Sequence, residues 1–230
     1  MESALFFGDQ NSLDFFDIRA GALRIPEVGL RLEEAQEIWD KNCGRAFSFQ
    51  HFLCSDDTTF FKNINLKSLS LAVIQLGLYD RYIRIFQEPR YLAGNTQNDS
   101  ALLVATREIT FSELITNSQA CHLVRPLAPL QVISEVVLDG RRLPRYKIMQ
   151  RVEGKDDRIY RIVGSNEMSL PNALRQLIKS HMVQKIIHIG PGIMDKSSII
   201  DDVVISESID IDPMLGWFWS SLRSIESHVS

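Results

Sequence analysis

The sequence lacks the features that mark nucleic-acid-binding and membrane proteins. Its 230 residues carry a net charge of -4, and no cluster of Lys and Arg exceeds two or three residues. A phosphate backbone is bound by clustered cations, so we expect no nucleic-acid partner. The longest apolar stretch, at residues 69–78, is interrupted by Ser70, Gln75 and Gly77. It falls short of the roughly 18 residues that a membrane span needs, so we expect no membrane segment.

Cysteine is also scarce. Cys43, Cys54 and Cys121 are an odd number and include no CxxC pair. This composition predicts a reducing compartment and no zinc site. The first seven residues contain no basic region, and Asp9 follows too early for a signal peptide. We therefore predict a cytoplasmic protein with no metal and no cofactor.

What the sequence does contain is an alternation of short apolar runs and segments of helical spacing. With 45% hydrophobic and 23% charged residues, its composition is that of a globular protein with a sizeable core. Strands are predicted at residues 4–8, 91–93, 185–189 and 203–211. Helices are predicted at residues 30–40, 66–86, 101–109, 111–120, 174–182 and 214–225.

The pattern changes at about residues 130–164. Val132, Ser134, Val136 and Leu138 alternate up to Asp139-Gly140, which predicts a hairpin. Residues 146–152 and 158–163 predict two further strands. Alternating strands and helices with this β-rich insert predict a single α/β domain over residues 1–230, built on a mainly parallel sheet.

Three turns follow predicted strands, at residues 8–10, 94–96 and 190–192. Functional positions of a parallel sheet lie beyond the carboxyl ends of its strands. The three turns therefore mark the candidate site.

In this order and at this spacing, the turns resemble those of malonyl-CoA:acyl-carrier-protein transacylases and of polyketide synthase acyltransferase domains. That family opens with a strand and Phe-Pro-Gly-Gln-Gly. Here Phe6-Phe7-Gly8-Asp9-Gln10 stands in that place, and its Phe-Gly-Asp-Gln form resembles the starter-unit domains of fungal non-reducing synthases. The family's Gly-His-Ser-Leu-Gly-Glu matches residues 94–99, and its final strand with Gly-Pro-Gly matches residues 186–192. The resemblance implies the large α/β subdomain of this family.

The resemblance also implies that the catalytic groups are missing. Thr96 stands at the position of the nucleophilic serine, and Asn95 at that of the histidine before it. The elbow begins at Gly94, and its second glycine is replaced by Asn98, which follows Gln97. A β-branched side chain is disfavoured in the strained backbone of such an elbow. Counting to the family's malonate-binding arginine leads to Cys121. We therefore expect no catalytic residue.

The family's catalytic histidine follows a ferredoxin-like subdomain of roughly 60 to 70 residues, for which this chain has no room. The predicted strands of residues 132–163 replace it and contain no histidine. His122 remains the one alternative general base. Gly8, Asp9 and Gln10 match the oxyanion loop, although they also suit an ordinary turn.

The leading hypothesis is a non-catalytic acyltransferase homologue in polyketide or fatty-acid biosynthesis. It would bind an acyl carrier protein, a synthase or a true acyltransferase. Two alternatives stay open: an active transacylase or acyl hydrolase that uses Thr96, and a structural protein that keeps only the fold. Arg141, Arg142, Arg145 and Lys147 would either meet an acidic carrier protein or serve as solubilising charges. The open edge of the insert also predicts a dimer or a heteromer.

Overall fold

The computed structural model describes residues 3–8, 23–55, 63–95, 100–118, 120–121, 137–138, 141–142, 146–152, 159–164, 168–189 and 204–207. Its strands are β1 (Ser3–Phe7), β2 (Tyr91–Asn95), β3 (Val137–Leu138), β4 (Arg141–Arg142), β5 (Tyr146–Val152), β6 (Ile159–Ile162), β7 (Lys185–Ile189) and β8 (Val204–Glu207). Its helices are α1 (Pro26–Asn42), α2 (Phe49–Cys54), α3 (Ile64–Ile85), α4 (Ser100–Ala105), α5 (Phe111–Thr116) and α6 (Leu170–His181).

Six strands form the main sheet in the order β6-β5-β2-β1-β7-β8. β1 runs parallel to β2 and β7, and β7 runs parallel to β8. β5 is antiparallel to both β2 and β6. The predicted α/β class with a mainly parallel sheet is thus confirmed, with the correction that the sheet is mixed. Its antiparallel edge comes from the predicted insert, whose hairpin is β3 and β4.

Both faces of the sheet are buried, which explains why its central strands are apolar at consecutive positions. Leu5, Phe7 and Leu92 belong to one core cluster, together with residues of α1 to α5. Phe6 and Ala93 belong to a second cluster with residues of α6. Within the described ranges, the sheet therefore lies between a thick helical layer and one helix, α6.

The thick layer depends on a close crossing of α1 and α3. A Cβ added at Gly77 would lie 2.5 Å from the Cα of Val28, so only glycine fits where the two helices meet. Near the same crossing, the Glu27 carboxylate of α1 lies 3.1 Å from an Nη1 of Arg81 and 3.0 Å from that of Arg84. Because Glu27 begins α1 while both arginines lie near the end of α3, the two helices run antiparallel.

Most predicted elements are present, with shifted ends. The helix predicted at residues 101–109 is the shorter α4, and Arg107, in the turn that follows, has a left-handed φ of 62°. α5 begins at a capping box in which Thr110 and Glu113 satisfy each other's backbone N–H groups. The short α2 was not predicted. The predicted helix at residues 214–225 lies outside the described residues.

The prediction of reduced cysteines is wrong for two of the three. Cys43 and Cys121 form a buried disulfide across 78 positions of sequence, while Cys54 is free and exposed. Cysteine number alone missed the pair because spacing along the chain does not reveal which residues the helical layer brings together. Of the helices in the described ranges, none is long and apolar enough to cross a membrane.

Candidate functional site

The candidate site lies at the carboxyl ends of β2, β1 and β7. These three strands are adjacent and parallel, so their ends meet at one edge of the sheet. Gly8 follows β1, and its N–H donates a 3.1 Å hydrogen bond to the carbonyl of Ile189, the last residue of β7. Gly94 lies beside Phe7 in the register of β1 and β2. The structure thus brings Gly8 and Gly94 to the shared edge as predicted, while Asp9, Gln10 and residues 190–192 lie outside the described residues.

Gly94 allows a helix to approach the sheet closely. A Cβ at this position would lie 3.2 Å from Cδ2 of Leu102 in α4 and 3.5 Å from the Cβ of Phe7. A larger residue would therefore require the Leu102 side chain to shift by a few tenths of an ångström. β2 ends at Asn95 and α4 begins at Ser100, which gives the strand, connection and helix order of a nucleophile elbow. Thr96, Gln97 and Asn98 fall in this connection, outside the described residues, so their roles stay predictions.

Asn95 ends β2 as a buried amide. Its residue is 4% exposed, and it is in register with Tyr146 of β5. Strand alternation places it on the same face as Ala93, the face covered by α6. The group at the position before Thr96 is therefore uncharged and enclosed.

Sequence reasoning missed the residue that fixes the first turn of the site. Gln75 in α3 is 1% exposed, and its Nε2 donates a 2.9 Å hydrogen bond to the carbonyl oxygen of Gly8. The helix thereby holds the chain where it leaves β1. The signal was present, because Gln75 interrupts the most apolar stretch of the sequence, and a buried amide in such a stretch needs a partner.

Lys147 brings a buried charge beside Gly94. The two residues are in register across β2 and β5, and Lys147 is 6% exposed. Its Nζ lies 3.6 Å from Oε1 of Glu108, which also accepts a 3.2 Å hydrogen bond from the Thr106 hydroxyl. Both sequence interpretations of Lys147, as a solvated charge or as a carrier-protein contact, are therefore wrong. The lysine lies inside the protein next to the elbow.

Two of the described histidines contact aromatic rings of the second core cluster. His188 is buried on β7, and its ring centroid lies 6.2 Å from that of Phe6. His181 stacks on Tyr91 at 4.9 Å, at the start of β2 and thus at the opposite edge of the sheet. Burial and the nearby Arg90 lower the pKa of His181, which is half-buried. His122 lies outside the described residues.

Comparison with known proteins shows which solved structures share this fold. No protein-family model matches the chain, and no curated protein matches it. Two solved structures are similar. One is the malonyl-CoA:acyl-carrier-protein transacylase of Clostridium perfringens ATCC 13124, with a TM-score of 0.62, 9% identity, and 99% of each chain covered. The other is that of Synechocystis sp. PCC 6803, with a TM-score of 0.58, 12% identity, and 90% of this chain and 97% of that one covered. The chain therefore has an acyltransferase fold like that of the malonyl-CoA:acyl-carrier-protein transacylases.

Proposed function

We propose that this protein is a non-catalytic acyltransferase homologue that binds a carrier protein, a synthase or a true acyltransferase in fatty-acid or polyketide biosynthesis. The observation that carries the proposal is the Cys43–Cys121 disulfide. Cys121 stands where the resemblance places the arginine that holds a substrate carboxylate. A buried, disulfide-bonded sulfur offers no positive charge there, so a malonyl group would lose its main anchor.

The described part of the elbow supports the same function. Asn95 is a neutral amide where the resemblance places a histidine, and Thr96 replaces the serine. A hydroxyl at its ordinary pKa is a weak nucleophile unless a neighbouring base takes its proton. Meanwhile Gly94 and Gln75 keep the shape of the edge, which suits a surface that binds without reacting.

The proposal predicts that no covalent acyl-enzyme forms. The protein is incubated with malonyl-CoA and with acetyl-CoA, and its intact mass is measured. We expect the unmodified mass. Thr116→Ala serves as the matched control for Thr96→Ala, because the Thr116 hydroxyl donates only a local 2.9 Å bond to the Ser112 carbonyl. An adduct that Thr96→Ala removes and Thr116→Ala retains would overturn the proposal.

The partner is tested with purified acyl carrier protein. Arg141 and Arg142 of β4, together with Arg145, are the cations proposed to meet its acidic surface, and the buried Lys147 is not. We expect binding that weakens with salt and drops about five-fold in the Arg141→Ala, Arg142→Ala double variant. Arg175→Ala, at an exposed arginine of α6, is the control. Absence of both an acyl adduct and carrier binding would favour the structural alternative.

One observation favours the enzyme alternative, in which Thr96 reacts. Lys147 is a buried amine in register with Gly94, and lysine serves as the base for a hydroxyl nucleophile in some hydrolases. Its Nζ lies 3.6 Å from Oε1 of Glu108, so a role as base would require the lysine to give up this contact. Acyl-CoA or acyl-carrier hydrolysis that is lost in both Thr96→Ala and Lys147→Met, but not in Thr116→Ala, would establish this alternative.

We also propose a dimer or heteromer formed through the insert. β6 ends the strand order on one side of the sheet, and its Ile162 is 51% exposed. Sedimentation of the wild type should show an assembly that Ile162→Lys weakens. Met182→Lys, at a residue 76% exposed beyond α6, should leave it intact. A wild-type monomer at high concentration that also fails to bind the carrier or an acyltransferase would contradict this proposal.

We also propose a cytoplasmic location, and the Cys43–Cys121 disulfide tests it, because disulfides are rare in that compartment. Cell fractionation would place the protein directly. Rapid thiol alkylation of whole cells would show whether Cys43 and Cys121 are oxidised where the protein resides.

A further inference from the structure

A second region of chemical interest lies at the amino ends of the parallel strands, opposite the elbow. A cavity of about 820 Å³ opens there between the start of β1, the end of α3, the residues that lead into β2, and the strands β5 and β6. Its volume is in the range of small-molecule sites, about 300 to 1,000 Å³. Nothing in the proposed acyltransferase-like function uses this cavity.

The floor of the cavity is fixed by a buried carboxylate. Oε1 of Glu88 accepts hydrogen bonds of 3.0 Å from the Tyr79 hydroxyl and 3.1 Å from the Tyr160 hydroxyl. Its Oε2 lies 3.6 Å from Nη1 of Arg151, and the Glu88 side chain is only 9% exposed. The negative charge of Glu88 is thus enclosed by two hydroxyls and one guanidinium group. It therefore repels a ligand in the cavity only weakly.

Three arginines line the cavity against this single acid. The charged lining residues are three cations, Arg90, Arg151 and Arg161, and one anion, Glu88. Their summed charge is +2, whereas the net charge of the whole chain is -4. Arg90 and Arg161 are exposed. Among the described residues, Arg161 makes one side-chain hydrogen bond, a long contact of 3.5 Å to Gln150, which leaves most of its five N–H donors for a ligand. Guanidinium groups arranged in a cavity select phosphate or carboxylate oxygens.

An aromatic surface adjoins the arginines. Tyr82 and Phe86 lie one helical turn apart at the end of α3, with ring centroids 5.1 Å apart and planes inclined at 31°. Both line the cavity, and Phe86 is 38% exposed. An exposed ring beside a cationic group is an arrangement that accepts a flat, apolar ring by stacking.

We propose that this cavity binds a small phosphorylated molecule with an aromatic ring, of the nucleotide class. Arg161 and Arg90 contact the phosphate oxygens, Arg151 adds charge while held by Glu88, and the ring lies against Phe86. The site is separate from the elbow, because it uses the opposite ends of β1 and β2. It is independent of whether the elbow is catalytic.

Calorimetric titration of the full chain with ADP, inorganic pyrophosphate and adenosine separates the two parts of the site. We expect ADP to bind most tightly, pyrophosphate more weakly, and adenosine not measurably, with affinity falling as salt rises. Absence of ADP binding, or adenosine binding as tightly as ADP, would overturn the proposal. Equal binding of pyrophosphate and ADP would overturn the aromatic part of it.

Matched variants locate the binding. Arg161→Gln should weaken ADP and pyrophosphate about ten-fold, the effect of losing one charged hydrogen bond. Arg175→Gln is the control, since Arg175 is also exposed with a single long contact, 3.4 Å to Asn172, but lies on α6 away from the cavity. Equal losses in the two variants would show non-specific charge attraction and overturn the site.

Phe86→Leu tests the ring contact. It should weaken ADP about five-fold and leave pyrophosphate unchanged, since pyrophosphate has no ring to stack. A thermal unfolding measurement on each variant checks that the fold is kept. Loss of pyrophosphate binding in Phe86→Leu without a change in unfolding would contradict the placement of the ring.

Discussion

The two ends of the same parallel strands differ in what they present. At the carboxyl edge the described residues are glycines and enclosed amides, and the one charge beside Gly94, on Lys147, is paired with Glu108. At the amino edge, exposed guanidinium groups of Arg90 and Arg161 line a cavity. Ligands of parallel α/β sheets are expected at the carboxyl edge. In this protein the exposed cationic groups lie at the amino edge, so the fold alone does not indicate where charged side chains gather.

The disulfide should give the largest effect and belongs to the carboxyl side. α1 runs antiparallel to α3, and the end of α3 leads into the start of β2, so Cys43 at the end of α1 lies toward the opposite side. Replacing Cys43 and Cys121 together by Ala should lower the free energy of unfolding by about 3 to 4 kcal/mol, because a long loop gains freedom in the unfolded chain. Urea unfolding measures this.

Cys54→Ala, at the exposed free cysteine, is the control and should change little. A reductant should lower the stability of the wild type to that of the double variant. If the double variant and Cys54→Ala unfold alike, then the bond does not hold the carboxyl side together.

At the amino edge, the corresponding destabilising substitution is Glu88→Ala. It leaves the Tyr79 and Tyr160 hydroxyls and the Arg151 guanidinium without their shared acceptor. We expect a loss of about 3 kcal/mol in unfolding free energy, as for other buried carboxylates that lose their cluster. Glu37→Ala is the control, since Glu37 is exposed and its one ion pair among the described residues, at 3.9 Å to the equally exposed Lys41, is long and weak. Equal, small losses in both variants would mean that Glu88 organises nothing.

Gln75→Leu tests whether the carboxyl edge is held as firmly. The change keeps the apolar volume but removes the hydrogen bond to the Gly8 carbonyl, so we expect about 2 kcal/mol of destabilisation. Gln176→Leu removes a comparable 3.1 Å bond to the Val163 carbonyl at a half-buried position and should cost less. A larger loss in Gln176→Leu would show that the first turn of the site does not need its amide.

These residues show how far the sequence could be interpreted. Periodicity predicted the central strands and long helices, because apolar positions recur wherever a face is buried; β7 was predicted with its observed ends. Gly8 and Gly94 were predicted to follow strands that end at one edge, and they do, while the role of that edge as a site stays a prediction. The resemblance predicted the acyltransferase fold. Asp139-Gly140 predicted the hairpin between β3 and β4.

Partners far apart in sequence could not be predicted in the same way. The Glu88 carboxylate meets Tyr160 across 72 positions, and Gln75 meets Gly8 across 67. Such pairs depend on strand order, which periodicity does not specify. The insert was predicted as strands, but nothing local indicated that β5 would join β2 and bury Lys147.

The last expected effect is a pH dependence that arises at the amino edge. Burial, followed by negative charge on neighbouring groups including Glu88, raises the pKa of Tyr79 and of Tyr160. In the unfolded chain a tyrosine titrates near its ordinary pKa of about 10. Each tyrosine therefore contributes stability that is complete below about pH 10 and is lost as the pH rises toward the higher folded pKa, because the unfolded state releases its proton first.

The expected slope is about 1.4 kcal/mol per pH unit for each such tyrosine above pH 10. Urea unfolding between about pH 8 and pH 11.5 would measure it. Tyr160→Phe removes one of these titrations, so its stability should fall less steeply with pH even though the variant is less stable at neutral pH. Gln75→Leu, at the carboxyl edge, should be less stable at every pH but keep the wild-type slope. If Tyr160→Phe keeps that slope too, then the Glu88 cluster does not hold the tyrosines neutral. The amino edge would then not differ from the carboxyl edge in its response to pH.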